Sequence, residues 1–250
     1  MFAVITMDLA GYELERYDRQ LKIGGWGKEG QMKLKSSKVV VAGAGGLGCP
    51  ASIYLVASGF GKVRIIDDEK VELSNLNRQI LHWTNDIGVF KVDSASLKLR
   101  SLNPNVEVEG LKCKITRENV HEMIKGFNVV VDAMDNYRTR YILNEACIRE
   151  GIPFIHGAVY GFEGQLTTII PHITPCLSCI FPQVPPEVEK PPVVGTTPAL
   201  IATLQVTEAI KLITGIGKNA LGRLLIYDGT DMSFQEIKVQ RNPECPVCGT

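Results

Sequence analysis

The chain has 250 residues, 45% of them hydrophobic, and its 27 basic and 27 acidic side chains cancel. A chain of this length buries roughly 70 to 75% of its unfolded surface, enough for a real core. Neutral charge argues against a broad nucleic-acid or membrane surface, and no run approaches the ~20 apolar residues of a membrane span. The short apolar stretch at the N-terminus has no basic flank, so the expected location is cytoplasmic.

Two short helices are predicted at 12–23 and 28–36, followed by an alternation of β-branched runs and segments of helical period. Strands are expected at 38–42, 63–67, 106–111, 128–132 and 153–156, with helices at 46–58, 88–101, 116–125 and 136–150 between them. After Gly157 the strands at 165–171, 223–228 and 233–239 are antiparallel in style, the last two bracketing a hairpin signal at Asp228-Gly229-Thr230-Asp231. Six prolines from Pro182 to Pro198 exclude a helix or central strand and mark an exposed loop of 17 residues, the length of a lid or partner-binding segment. A helix at 199–212 returns the chain to the core. The expected fold class is α/β, a Rossmann-like parallel sheet flanked by helices that continues into antiparallel strands. One domain is expected over 1–250, with N-terminal helices (1–36), a nucleotide-binding half (37–157) and a second half (158–250).

Four of the seven cysteines form two C-x-x-C pairs, Cys176 with Cys179 and Cys245 with Cys248, separated by 65 residues. One such pair reads as a redox motif, but two at this spacing favour a tetrahedral zinc site. Four thiolates leave no open position for water or substrate, so the expected zinc is structural. Cys49, Cys113 and Cys147 are scattered, and the odd total fits a reducing compartment better than a disulfide framework.

Gly43-Ala44-Gly45-Gly46-Leu47-Gly48 follows a predicted strand and opens a predicted helix, where bare backbone amides can approach a phosphate. Alone, it reads as a dinucleotide loop with Asp67 accepting ribose hydroxyls, and NAD and ATP both remain open. Ser74-Asn75-Leu76-Asn77-Arg78-Gln79, followed 13 residues after Arg78 by Lys91, favours ATP. Cleaving a triphosphate needs fixed cations beside the departing pyrophosphate, and Arg78 and Lys91 supply them, although a lone Arg or Lys is usually a solvated surface group. Asp132 and Asp135 close the fourth strand and either can hold magnesium; Asp132 reads equally well as a carboxylate satisfied by loop amides. His82, His121, His156 and His172 show no metal or triad spacing and are expected to be structural or on the surface.

Tyr17-Asp18-Arg19-Gln20, the loop at 43–48, Asp67, the segment 74–79, Lys91, Asp135-Asn136, the run 205–211 and both C-x-x-C pairs have an order and spacing that resembles the MoeB/ThiF/HesA family. These are adenylyltransferases related to ubiquitin-activating enzymes, and within them the pattern is most similar to the MoeB type. The resemblance covers about residues 17–249. It implies ATP-dependent adenylation of the C-terminal glycine of a ubiquitin-like sulfur carrier ending in Gly-Gly, with release of pyrophosphate. The implied nucleotide site contains Gly43, Gly45, Gly46, Gly48, Gln79 and Asn136, with Asp67 on the ribose, Asn75, Arg78 and Lys91 around the phosphates, and Asp135 on magnesium. Arg19 matches an arginine that family members reach into the neighbouring subunit's site, which implies a homodimer and a catalytic set of Arg19, Arg78, Lys91 and Asp135. The second half then becomes the carrier-binding half. An ionised carboxylate needs no general base, which accounts for a site rich in cations and poor in histidine.

Some members capture the activated carrier on a cysteine before the helix matching 199–212, but this sequence has no cysteine between Cys179 and Cys245. That favours adenylation alone, with a sulfurtransferase as a further partner, and Cys49 beside the glycine loop is expected to be a small core residue. The alternatives are an NAD-dependent oxidoreductase, disfavoured by Arg78, Lys91 and the cysteine pairs, and a non-catalytic subunit of a heterodimeric activating enzyme, disfavoured because no matched nucleotide position is lost. Adenylation of a carboxylate on transfer RNA has little support from a neutral chain. Molybdopterin, thiamine, transfer-RNA thiolation and protein conjugation all remain open as destinations of the product.

Overall fold

The computed structural model describes residues 9–186 and 191–249; the expectations for residues 1–8 and for 187–190 of the proline-rich loop lie outside the described residues. Three short helices, α1 (Gly11–Arg16), α2 (Asp18–Leu21) and α3 (Gly27–Lys35), precede β1 (Lys38–Ala42), α4 (Gly48–Ser58), β2 (Lys62–Ile66), α5 (Lys91–Leu102) and β3 (Glu107–Leu111). Next come α6 (Val120–Ile124), β4 (Val129–Asp132), α7 (Tyr137–Glu150), β5 (Phe154–Tyr160) and β6 (Glu163–Ile169). The chain continues through α8 (Leu177–Ile180), α9 (Thr196–Thr214), β7 (Arg223–Asp228) and β8 (Ser233–Lys238).

The strands form one sheet in the order β3-β2-β1-β4-β5-β6-β7-β8. The first five run parallel and the last three pair antiparallel, the expected Rossmann-like arrangement continuing into a meander. β1 is buried on both faces, the usual condition of a central parallel strand. Val39 and Val41 pack with Leu55, Leu99, Ile201 and Val206 in one core, while Val40 and Ala42 pack with Ile124, Leu143, Ile148 and the cysteines Cys176, Cys245 and Cys248 in the other. Among the described residues no helix is long and apolar enough to cross a membrane.

Four expectations are corrected. The helix expected at 12–23 breaks at Tyr17, which is buried and whose hydroxyl accepts a bond of 2.9 Å from Asn103 Nδ2, so a tertiary contact overrides the helical period. The helix expected from residue 88 begins only at Lys91, since Gly88 has φ +88° and Phe90 is extended. β5 runs past Gly157 to Tyr160 because its second half pairs with β6; a Cβ on Gly157 would lie 2.6 Å from the Gln205 side chain. The proline-rich loop ends sooner than read, because α9 starts at Thr196 and holds Pro198 in its first turn, where no intrahelical donor is lost. Its described end is also pinned: Gly161 N–H donates to Pro192 O (2.7 Å) and Val194 N–H to Gly161 O (3.3 Å).

Glu208 fastens α9 to the antiparallel half. Its Oε2 accepts from Thr168 Oγ1 (2.6 Å), Ala220 N–H (2.7 Å) and Asn219 Nδ2 (2.9 Å), and Lys211 pairs with its Oε1. Burial pushes this carboxyl up, but Lys211 and the three donors outweigh burial and hold it below its usual value. A depressed folded pKa gives stability that is present above the unfolded value and lost as pH falls through the folded one. Glu208→Gln is therefore expected to cost about 1.5–3 kcal/mol in urea unfolding at neutral pH. The difference from wild type should shrink as pH drops below about 4; a gap that stays constant with pH contradicts the assignment.

Candidate functional site

Ala42 of β1 lies opposite Ile66 of β2 and Asp132 of β4, so the three segments leaving these strands emerge side by side at the carboxyl end of the sheet. The chain crosses from β1 to β2 on one side and takes β4 on the other, the switch point at which open α/β sheets bind ligands. Gly43 has φ +112°, and a Cβ there would lie 2.5 Å from Ala133 O. A Cβ on Gly48 would lie 2.0 Å from Gly43 O, so the turn closes only with glycine at both positions. Cβ atoms on Gly45 and Gly46 would meet Gln79 Nε2 at 3.7 Å, Pro198 at 3.3 Å and Arg78 at 3.5 Å. The loop therefore sits between the 74–79 segment and the first turn of α9.

Asp67 braces the loop: Oδ2 accepts Ala44 N–H at 2.8 Å and Oδ1 accepts Glu69 N–H at 2.9 Å. Burial raises its carboxyl above the usual value against the opposing pull of these amides and Lys91. Asn75 is buried with Oδ1 accepting Glu72 N–H at 3.0 Å, and Arg78 Nη1 donates to Ser74 O and Asn77 Oδ1, both at 2.9 Å. Gln79 is buried beside Gly45, and its Oε1 has no hydrogen-bond partner. A buried carbonyl left so costs about 1–3 kcal/mol unless a ligand or water meets it. Lys91, the first residue of α5, is 3% exposed and its Nζ lies 2.5 Å from Oε2 of Glu69, a surface carboxylate.

The two aspartates expected to compete for magnesium differ sharply. Asp132 is wholly buried, accepting from Met134 N–H (3.1 Å) and His156 Nδ1 (2.7 Å), with Arg140 Nε at 3.3 Å. Gln165 Nε2 donates to His156 Nε2 (3.3 Å), which leaves the ring's single proton on Nδ1 facing Asp132. Asp135 is exposed, and Asn136 donates from Nδ2 to its Oδ1 (3.2 Å) while capping α7 by accepting Thr139 N–H (2.9 Å). A hard divalent cation needs free carboxylate oxygens, which Asp135 offers and Asp132 does not. A cavity of about 600 Å³ opens alongside, lined by Ile115, Arg117, Asn136, Arg138, Tyr141 and Val184 among others.

Arg19 is not brought to this set within the chain. It is exposed on α2, and its neighbour Gln20 donates from Nε2 to Ser58 O (3.1 Å), the last residue of α4. The glycine loop lies at the other end of that 11-residue helix, about 16 Å away. Glu69 and Arg140, which no sequence motif singles out, stand beside Lys91 and Asp132. His82, expected to be structural or on the surface, is structural: it is buried under the glycine loop, four residues past Arg78. The Cys49 thiol is also under the loop, and burial pushes it up to about 12, which removes it as a nucleophile at neutral pH.

On the opposite core, the four Sγ atoms of Cys176, Cys179, Cys245 and Cys248 all lie within 4.8 Å of one another. Cys176 and Cys245 are 3.7 Å apart and Cys179 and Cys248 3.4 Å apart. Metal–sulfur bonds of about 2.3 Å in a tetrahedron place sulfurs about 3.8 Å apart, so the cluster has metal-ligand geometry. Leu177 N–H donates to Asn144 Oδ1 (2.9 Å), tying the first pair to α7, and a Cβ on Gly249 would lie 2.4 Å from Pro243 O.

The model of the ThiF family matches residues 17–247. The chain is 47% identical over 250 residues to the SAMP-activating enzyme E1 of Haloferax volcanii, covering 98% of this chain and 92% of that protein. It is 44% identical over 247 residues to the sulfur carrier protein adenylyltransferase of Thermus thermophilus, covering 95% and 91%. The crystal structure of E. coli MccB with MccA superimposes with a TM-score of 0.86 at 24% identity, over 95% of this chain and 75% of that one, a likeness of fold. With the glycine loop, Asp67 and the 74–79 segment gathered at the switch point, and a family match that runs from Tyr17 to Val247, this chain belongs to the ThiF family.

Proposed function

We propose that the protein adenylates the C-terminal carboxylate of a ubiquitin-like sulfur carrier with ATP and releases pyrophosphate. The observation that carries the reading is that Arg78 and Gln79, with its unpartnered Oε1, stand against the glycine loop, while Lys91 acts on the charge of Asp67 that braces it and an exposed Asp135 follows the adjacent strand. Relatives of nearly the same length named as an E1 activating enzyme and as a sulfur carrier protein adenylyltransferase support it. A carrier of the type acted on by MoeB relatives, leading to molybdopterin, is the finer form of the proposal.

In this reading the glycine-loop amides bind the phosphates and Asp67 binds the ribose through its remaining lone pairs. Arg78 and Lys91 neutralise charge as pyrophosphate departs, Lys91 exchanging Glu69 for a phosphate oxygen. The carrier's carboxylate oxygen bonds to the α-phosphorus while the bond to the bridging oxygen of pyrophosphate breaks, and no proton moves. Asp135, with Asn136 beside it, would hold magnesium, which supplies positive charge to the triphosphate when bound. Zinc would sit in the cysteine cluster and tie the C-terminus to α8 without taking part in chemistry. Adenylation alone is supported by the burial of Cys49 and by the lack of a thiol between Cys179 and Cys245.

Arg19 is proposed to act in the partner subunit of a homodimer, which its distance from the glycine loop of its own chain supports. Three measurements test these roles. Asp135→Asn keeps the shape but lowers the negative charge, and carrier-dependent pyrophosphate exchange should fall at least about a hundredfold with melting unchanged; an undiminished rate excludes Asp135 from the metal. Arg19→Ala and Arg78→Ala proteins, each nearly inactive, should regain exchange when mixed, because one site of each heterodimer then holds both arginines. No recovery despite verified subunit exchange returns Arg19 to its own chain. Metal analysis should find about one zinc per chain, and Cys245→Ala should lose it together with thermal stability; a zinc-free protein with native melting sinks the structural role.

A further inference from the structure

We propose that His82 is a positioning residue for the glycine loop, its Nε2–H holding the Ala44 carbonyl so that the next amide stays aimed at the phosphates of ATP. The inference rests on the ATP reading above and deepens it.

The Ala44 residue is gripped on both of its backbone groups. Its N–H donates to Asp67 Oδ2 (2.8 Å), while its carbonyl accepts from His82 Nε2 (2.9 Å) and from the Cys49 thiol (3.3 Å), one donor for each lone pair. The Ala44 carbonyl and the Gly45 N–H belong to one rigid trans peptide plane and point in opposite directions. Holding the carbonyl down toward buried His82 therefore turns the Gly45 N–H away from the core, to the side where Gln79, Arg78 and Pro198 flank the loop. Gly45 has no side chain to resist rotation of that plane, so the restraint has to come from beneath.

The neighbours set the histidine's proton. The Ala44 carbonyl can only accept, so Nε2 carries the ring proton and Nδ1 faces the Ser94 hydroxyl at 3.0 Å as an acceptor; Lys98 Nζ donates to Ser94 Oγ (2.9 Å), and Leu81 O (3.4 Å) and the Asp86 carboxylate are further acceptors for that hydroxyl. With Nδ1 accepting, the single ring proton is on Nε2 and faces Ala44. Lys98 is fixed in turn by Asp86 and by the face of Trp83, 4.4 Å from its centroid. Burial, reinforced by Lys91 and Lys98, holds the imidazole below its usual value, which keeps it neutral at physiological pH. Ser94 and Lys91 are both on α5, so one helix braces the histidine and presents the cation.

Two variants separate the hydrogen bond from packing. His82→Gln keeps an amide donor near the Nε2 position, whereas His82→Leu fills much of the volume with none. The readouts are ATP binding by calorimetry, KM for ATP and for the carrier, melting temperature, and hydrogen exchange of the amides at 44–47 without nucleotide. The expected result is about a tenfold loss of ATP affinity and faster exchange at 44–47 in His82→Leu, with carrier KM unchanged and His82→Gln within about threefold of wild type. Equal losses in both variants, a loss confined to melting temperature, or wild-type ATP affinity in His82→Leu overturns the proposal. Wild-type protein that binds no ATP overturns the adenylation reading and this inference together, whereas wild-type binding with an unaffected His82→Leu overturns the inference alone.

Discussion

The parallel pairing of β1 with β2 and β4 is the constraint on which the candidate site depends. Because Ala42, Ile66 and Asp132 stand level, the glycine loop, Asp67 and the turn carrying Asp135 are neighbours although nearly 90 residues separate the first from the last. The valines on both faces of β1 and β4 are wholly buried, Val39, Val41, Val129 and Val131 in one core and Val40 and Val130 in the other. The closeness is visible at Gly43, where a β-carbon would collide with Ala133 of the neighbouring turn.

Charge is arranged around that junction with few spare groups. Lys91 is buried beside a surface carboxylate, Arg78 is held by local oxygens, and the carboxylate of Asp132 is taken up by His156 and a loop amide, with Arg140 beside it. An ammonium removed from water needs a counter-charge, and the exposed Glu69 supplies it. Asp132 is set differently: its partners, neutral His156, the Met134 amide and the Arg140 guanidinium, are internal to the core, while Asp135 faces solvent. Two aspartates three residues apart thus differ in setting: one is buried and fully partnered, the other exposed.

The antiparallel half reaches back to the same junction through α9. Pro198 in its first turn stands against Gly46, Gln205 Nε2 donates to Asp132 O (2.8 Å) and Ile155 O (2.9 Å), and Glu208 secures the far side of the helix to β6 and the 219–220 turn. The proline-rich segment enters that helix after bonding Gly161 at the β5–β6 turn. The Cys245 and Cys248 thiols lie against those of Cys176 and Cys179 at α8 on the opposite face of the sheet, and the first amide of α8 is bonded to Asn144 of α7.

Periodicity, glycine spacing and the two cysteine pairs determine the alternation of strands and helices, the phosphate-loop turn, the hairpin at 228–231 and the four-thiol cluster, because each is a local pattern whose residue types fit few other structures. The resemblance added the long list of site positions, which local pattern does not reach. Tertiary structure alone decided the break at Tyr17 and the early start of α9, where the partners, Asn103 and Gly46, are distant in sequence, whereas β5 extends because β6, only two residues further on, pairs along it. It also separated Asp132 from Asp135, which are the same residue type at the same strand end and differ only in what packs on them. His82 shows the limit most plainly. A single histidine carries no spacing to read, and its chemistry arises only when folding sets Ala44 and Ser94 against the two ring nitrogens.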